Sequence, residues 1–151
     1  MKSLNTLFSL VIGLLFFLTS CSGGKTEQAE IQQEEIMVER VRPAQEGGTT
    51  AAYFTYKNEL ETTDTLLSVS SEVAGMSQVH ESYLTDDGMM GMREQKNLAV
   101  EAGESLNFAQ GGLHVMLMQL KENLQVGDTV TLKMQFKNKG LVEKLLPVRT
   151  Y

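Results

Sequence analysis

Both histidines of this 151-residue chain, and five of the eight methionines that follow Cys21, fall between His80 and Met118. They lie in Val79-His80-Glu81, in Asp86-Asp87-Gly88-Met89-Met90-Gly91-Met92-Arg93, and in Gly111-Gly112-Leu113-His114-Val115-Met116-Leu117-Met118. In a β-strand, residues two apart project to one side, so His114 and Met116 leave the same face with their roots ~7 Å apart. Two ligands that close can chelate one ion. Met90 and Met92 are in phase in the same way, just beyond an Asp86-Asp87-Gly88 turn that would bring a loop tip to a sheet edge. A thioether is a soft neutral donor and imidazole a borderline one, so the pair suits Cu(I), whereas Ca²⁺ or Mg²⁺ would need hard oxygens. In an oxidising compartment a Cys ligand risks oxidation or disulfide exchange, and a His/Met set avoids that chemistry.

The elements that must position these residues read as strands. Thr129 to Phe136 places Val130, Leu132, Met134 and Phe136 on one face and Thr129, Thr131, Lys133 and Gln135 on the other, between turn residues at Gly127-Asp128 and Asn138-Lys139-Gly140. Ala52, Phe54 and Tyr56 alternate likewise, as do Leu67 with Val69 and Leu106 with Phe108; residues 36–41 and 144–148 supply a first and a last strand. No window after Glu35 carries a helical stripe, and there is no internal repeat, so the expectation is an all-β sandwich or barrel. Leu113, Val115 and Leu117 make both faces of the His114 strand apolar, as in an inner strand, and Met118 reads as packing.

The first segment is an address. Lys2 precedes an uncharged run from Leu7 to Leu18, and twelve residues are too few to span a bilayer that needs about 20. Leu18-Thr19-Ser20-Cys21 then resembles the bacterial lipoprotein box, which implies cleavage before Cys21 and a diacylglyceryl group on its thiol. Residues 1–20 are thus expected to be a signal peptide, 21–35 a lipidated Cys and flexible tether, and 36–151 the folded domain. Loss of Lys2 would leave 12 positive and 19 negative side chains, so an anionic bilayer would not attract the domain electrostatically. The lone Cys excludes an intramolecular disulfide and four-Cys zinc or iron–sulfur sites, and the acidic balance without a basic block excludes nucleic acid.

The segment from His80 to Leu120 resembles the periplasmic copper chaperone family called PCuAC, whose motif is a His, a Met eleven or twelve residues later, 21 further residues and His-x-Met. Here His80 lies twelve positions before Met92, and 21 residues separate Met92 from His114-Val115-Met116. Ala51-Ala52-Tyr53-Phe54-Thr55, the Ala102-Gly103-Glu104-Ser105 step and the stretch Leu124 to Val130 resemble the family as well, so the likeness spans about residues 36–148. It implies a cupredoxin-like Greek-key β-sandwich, with His80, Met92, His114 and Met116 as ligands to Cu(I). It also implies a recipient copper site of respiratory cytochrome oxidase and assistance from a thioredoxin-fold copper protein. The turn before Met92 departs from the family pattern, which leaves Met90 or Met89 as alternatives. No His/Met-rich tail follows Val148, so an extra C-terminal copper site is not expected.

No G-x-S-x-G, H-E-x-x-H, P-loop or dinucleotide fingerprint occurs, and Asp86-Asp87-Gly88 reads as a solvated turn, so an enzyme is not expected. The reading is a monomeric copper chaperone, lipid-anchored in the bacterial cell envelope and facing the periplasm. Ser22, in place of a retaining Asp, leans it toward the outer membrane. Two rival classes remain open: a metal-free lipoprotein adhesion or assembly module on the same sandwich, and a copper storage or electron-transfer protein.

Overall fold

Ten strands make up the domain, and the computed structural model describes residues 38–150. They are β1 (Arg40–Val41), β2 (Thr49–Lys57), β3 (Asp64–Ser71), β4 (Ala74–Leu84), β5 (Met90–Gln95), β6 (Leu98–Val100), β7 (Ser105–Phe108), β8 (Leu113–Leu120), β9 (Thr129–Phe136) and β10 (Leu141–Pro147). The larger sheet runs β1-β2-β8-β4-β5, with β7 also paired to β2, and the smaller runs β10-β9-β3-β6. Every paired strand is antiparallel to its neighbour. The expected all-β, cupredoxin-like sandwich is the fold. Cys21 and the segments expected to be signal peptide and tether lie outside the described residues.

The core is built from the inward positions of both sheets, among them Phe54, Phe108, Val115, Leu117, Leu132, Met134 and Phe136. Two stacked ring pairs join distant stretches of chain, Phe54 with Phe108 at 4.5 Å and Tyr56 with Phe136 at 4.2 Å between centroids. Such pairs add to the area they bury.

The expected alternation of Leu67 with Val69 is corrected. A bulge between Leu66 and Ser68 shifts the β3 register, so Leu66 and Val69 enter the core while Leu67 is 44% exposed. Strand β8 is central in its sheet as expected, but only Val115, Leu117 and Leu120 among its residues belong to the core. Met118, read from sequence as packing, lies half-buried on the opposite face, across from Met76 on β4 and Thr49 on β2.

One irregularity shapes the candidate site. Strands β7 and β8 pair in series along β2, with Phe54 opposite Phe108 and Ala52 opposite Val115, so an excursion from Ala109 to Gly112 faces Tyr53. A hydrogen bond from the Gly112 N–H to the Ala109 carbonyl, 3.1 Å long, closes it, and Gly111 supplies the positive φ of 83° that the turn needs.

Candidate metal centre

Strands β5, β4 and β8 lie side by side, and their register sets His80 directly opposite His114, Glu94 opposite His80, Ser82 opposite Met92 and Gln78 opposite Met116. Directly paired residues share a face, as do alternate residues along a strand. His80, Met92, His114 and Met116 therefore all project from the outer face of the larger sheet, opposite Val79, Val115 and Leu117, which enter the core. The two imidazole centroids are 6.2 Å apart with their planes at 71°. That spacing lets both rings reach one ion through N–metal bonds of about 2 Å.

A cavity of about 390 Å³ opens on this face, walled by Tyr53, Ser82, Met92, His114 and Met116 together with Arg42 and Gln110. Three of the four expected ligands thus line one cavity, and His80 adjoins it through its pairing with His114. The Ala109–Gly112 excursion and Tyr53 cover His114, whose exposure is 5%; the Tyr53 ring lies 6.4 Å from the imidazole and carries the Arg40 guanidinium at 5.1 Å on its own ring. Met92 itself is 54% exposed, so the cavity is open at the β5 edge. Met90 shares the outer face but pairs with Leu84, one pleat farther along, and Met89 sits in the turn; both are exposed and neither walls the cavity.

The hydrogen bonds distinguish the ring nitrogens. His114 Nδ1 lies 3.0 Å from the Gly112 carbonyl, which can only accept, so Nδ1 carries the proton and Nε2 keeps its lone pair. The same carbonyl accepts from the Ser82 N–H at 3.1 Å, which ties β4 to the excursion. His80 Nε2 lies 3.1 Å from Gln78 Oε1 and donates to it. His80 Nδ1, the nitrogen with the lone pair, is buried and has no hydrogen-bond partner. An unpaired buried acceptor costs about 1–3 kcal/mol, and a metal ion is a group that would satisfy it.

Burial pushes the His80 imidazolium below its ordinary pKa, the neighbouring His114 adds to that effect, and Glu94 opposes it. The neutral ring is the form that coordinates a metal. Among the described residues no group of three or more His, Cys, Asp and Glu side chains is placed to hold a metal ion. The thioether residues Met92 and Met116 wall the same cavity as His114. Sequence reasoning missed Tyr53, Gln78, Ser82 and Glu94 around the site. Their side chains are ordinary for a sheet surface, and only the strand register brings them here.

Residues 31–148 match the family described as "Putative lipoprotein LpqE-like". A curated relative, "Putative lipoprotein Lxx21020" of Leifsonia xyli subsp. xyli, is 30% identical over 146 residues, covering 93% of this chain and 87% of its own. Among solved structures, the copper-bound PCuAC domain of PmoF2 is 19% identical with a TM-score of 0.59, covering 76% of this chain and 91% of that one. The apo PCuAC domain of PmoF1 also gives a TM-score of 0.59, at 20% identity over 76% of this chain and 92% of that one. The solution structure of CuI-DR1885 from Deinococcus radiodurans is 26% identical with a TM-score of 0.54, over 82% and 85% of the two chains. The sandwich expected from the His80 to Leu120 motif is therefore the fold shared with PCuAC domains, and the chain belongs to the LpqE-like lipoprotein family.

Proposed function

We propose that the protein is an extracytoplasmic metallochaperone that holds Cu(I) with His80, Met92, His114 and Met116 and hands it to a copper site in another protein. The observation that carries this reading is the buried, unpartnered Nδ1 of His80 directly across from His114, on the face that also presents Met92 and Met116. Two neutral imidazoles and two thioethers form a soft donor set that favours Cu(I). The copper-bound form of the similar PmoF2 domain and the Cu(I) form of DR1885 support the same reading. An open cavity edge at Met92 suits transfer, because a partner's ligands can displace donors one at a time. A copper site of respiratory cytochrome oxidase as recipient, with a thioredoxin-fold copper protein assisting, extends the proposal.

The test is anaerobic titration of the protein with Cu(I) against a competing chelator. One tightly bound equivalent is expected, with Zn²⁺ and Cu(II) held more weakly. No binding would favour a metal-free adhesion or assembly module, and several equivalents would favour storage. Redox cycling of bound metal at a physiological potential would favour electron transfer. Zn²⁺ or Cu(II) bound as tightly as Cu(I) would show the donor set to be wrong.

The proposal includes attachment: residues 1–20 as signal peptide, Cys21 as the lipidated first residue of the processed chain, and 21–35 as tether. The family's lipoprotein description supports an anchored location in the bacterial cell envelope. More than one acyl chain, at ~0.8 kcal/mol per buried CH₂, makes such an anchor stable. Cys21→Ser is expected to abolish incorporation of labelled lipid while the domain still folds. Normal lipid labelling of that variant would refute the anchor.

A further inference from the structure

Neither Gln78 nor Glu94 walls the cavity, yet both reach His80 through an unbroken chain of hydrogen bonds. Glu94 stands directly opposite His80 on β5, and Gln78 precedes His80 by two residues on the same face of β4. The Glu94 carboxylate can only accept, so Gln78 must turn its amide nitrogen toward Glu94 Oε1, at 3.1 Å. That orientation turns Gln78 Oε1 toward His80 Nε2, also at 3.1 Å, and an amide oxygen in that position selects the Nε2–H tautomer. The other carboxylate oxygen of Glu94 pairs with Lys96 Nζ at 3.2 Å, which holds the first link of the chain in place. On the facing strand, the Gly112 carbonyl selects the opposite tautomer for His114.

Resting on the copper reading, we propose that Glu94 and Gln78 form a tautomer lock that presents His80 to Cu(I) through Nδ1, while His114 is presented through Nε2. Gln78 and Glu94 are positioning residues, since neither touches the ion. The lock removes a choice that a free imidazole would have to make each time copper arrives. It also leaves the buried face of His80 with a lone pair in place of an N–H. Outer partners of metal-ligating histidines act in this way, and their loss typically costs about 10–100-fold in metal affinity.

The test is two-bond ¹H–¹⁵N NMR of the imidazoles, recorded on the protein without metal and with one equivalent of Cu(I) under anaerobic conditions, alongside affinity by competition. Expected in the metal-free protein is His80 as the Nε2–H tautomer and His114 as the Nδ1–H tautomer. On adding Cu(I), the shift should fall on Nδ1 of His80 and on Nε2 of His114. Gln78→Leu should mix the His80 tautomers and lower affinity about 10–100-fold. Glu94→Leu should do the same by freeing the Gln78 amide to flip, and Glu94→Gln should restore the lock because its amide oxygen can still accept. His114 signals serve as the internal control for an intact sheet.

An Nδ1–H tautomer of His80 in the metal-free protein, or copper on its Nε2, overturns the proposal. So does an unchanged tautomer and affinity in both Gln78→Leu and Glu94→Leu. An Nε2–H tautomer with no copper binding overturns the copper reading and supports the lock, so the two failures are separable.

Discussion

His80→Ala and His114→Ala should each lower Cu(I) affinity more than about 100-fold, and the double variant should bind no more copper than a protein without the site. Loss of an outer partner alone costs about 10–100-fold, so loss of a ligand sets a larger effect. The fold should persist in all three. Both rings lie on the outer face of the sheet and outside the core cluster, and the Gly112 carbonyl keeps its bond from Ser82 when His114 is removed. Substitution of His80 also removes a buried acceptor that has no partner.

Met116→Leu and Met92→Leu should weaken binding next, since both wall the cavity with His114, whereas Met90→Leu and Met118→Leu should leave it nearly intact. Acid should act only through the histidines, because thioethers do not titrate. The His80 pKa is held below its ordinary value by burial and by His114, against Glu94, so protons should begin to displace copper from His80 at a pH below the ordinary ~6.5. Competition titrations with a chelator across pH 5 to 8 are the measurement. Intact affinity in both histidine variants, or loss in Met90→Leu with none in Met92→Leu, would require a different ligand set.

The sheet pattern was legible from residue types, whereas the set of four candidate ligands came from the resemblance of the His80 to Leu120 segment to a known family. Period-two runs such as Thr129 to Phe136 became strands because one-faced burial leaves a sheet little choice. Leu67 was misplaced because a bulge inserts a residue without leaving a mark in composition. Met118 packs on the outer face and not in the core; an apolar residue on the outer face of an inner strand looks the same in sequence as one inside. The pairing of His80 with His114, 34 residues apart in the chain, depends on the β4–β8 register, which no local spacing encodes. The roles of Gln78 and Glu94 follow from that same register. Nothing in the sequence spacing of Gln78 and His80 marks the pair, because the Gln78 amide is oriented by a carboxylate on the next strand.

Asp64→Ala should destabilise the fold by about 3–4 kcal/mol and leave Cu(I) affinity unchanged under native conditions. Asp64 opens β3, is buried with 0% exposure, and accepts from the backbone N–H groups of Thr65 at 2.7 Å, Asn138 at 2.8 Å and Lys139 at 2.9 Å. Two of those donors belong to the turn between β9 and β10, which the carboxylate pins to β3. Hydrogen bonds to a charged group are worth about 1.5–3 kcal/mol each, and alanine removes the acceptor of all three. Burial alone would raise the Asp64 pKa, but the N–H groups of Asn138, Lys139, Thr65 and Lys137 outweigh it and hold the group below its ordinary 3.8.

A depressed folded-state pKa contributes stability above the unfolded value, and that contribution is lost as pH falls through the folded one. The parent protein should therefore lose stability below about pH 4 through this residue, and Asp64→Ala should show a flatter acid limb. Urea denaturation of the metal-free protein at several pH values between 2 and 7 tests both statements. A variant within 1 kcal/mol of the parent, or one with the same acid limb, would mean that the β9–β10 turn holds without the carboxylate. Asp64 lies in the smaller sheet and the four proposed ligands lie on the outer face of the larger one, so stability and binding should move independently.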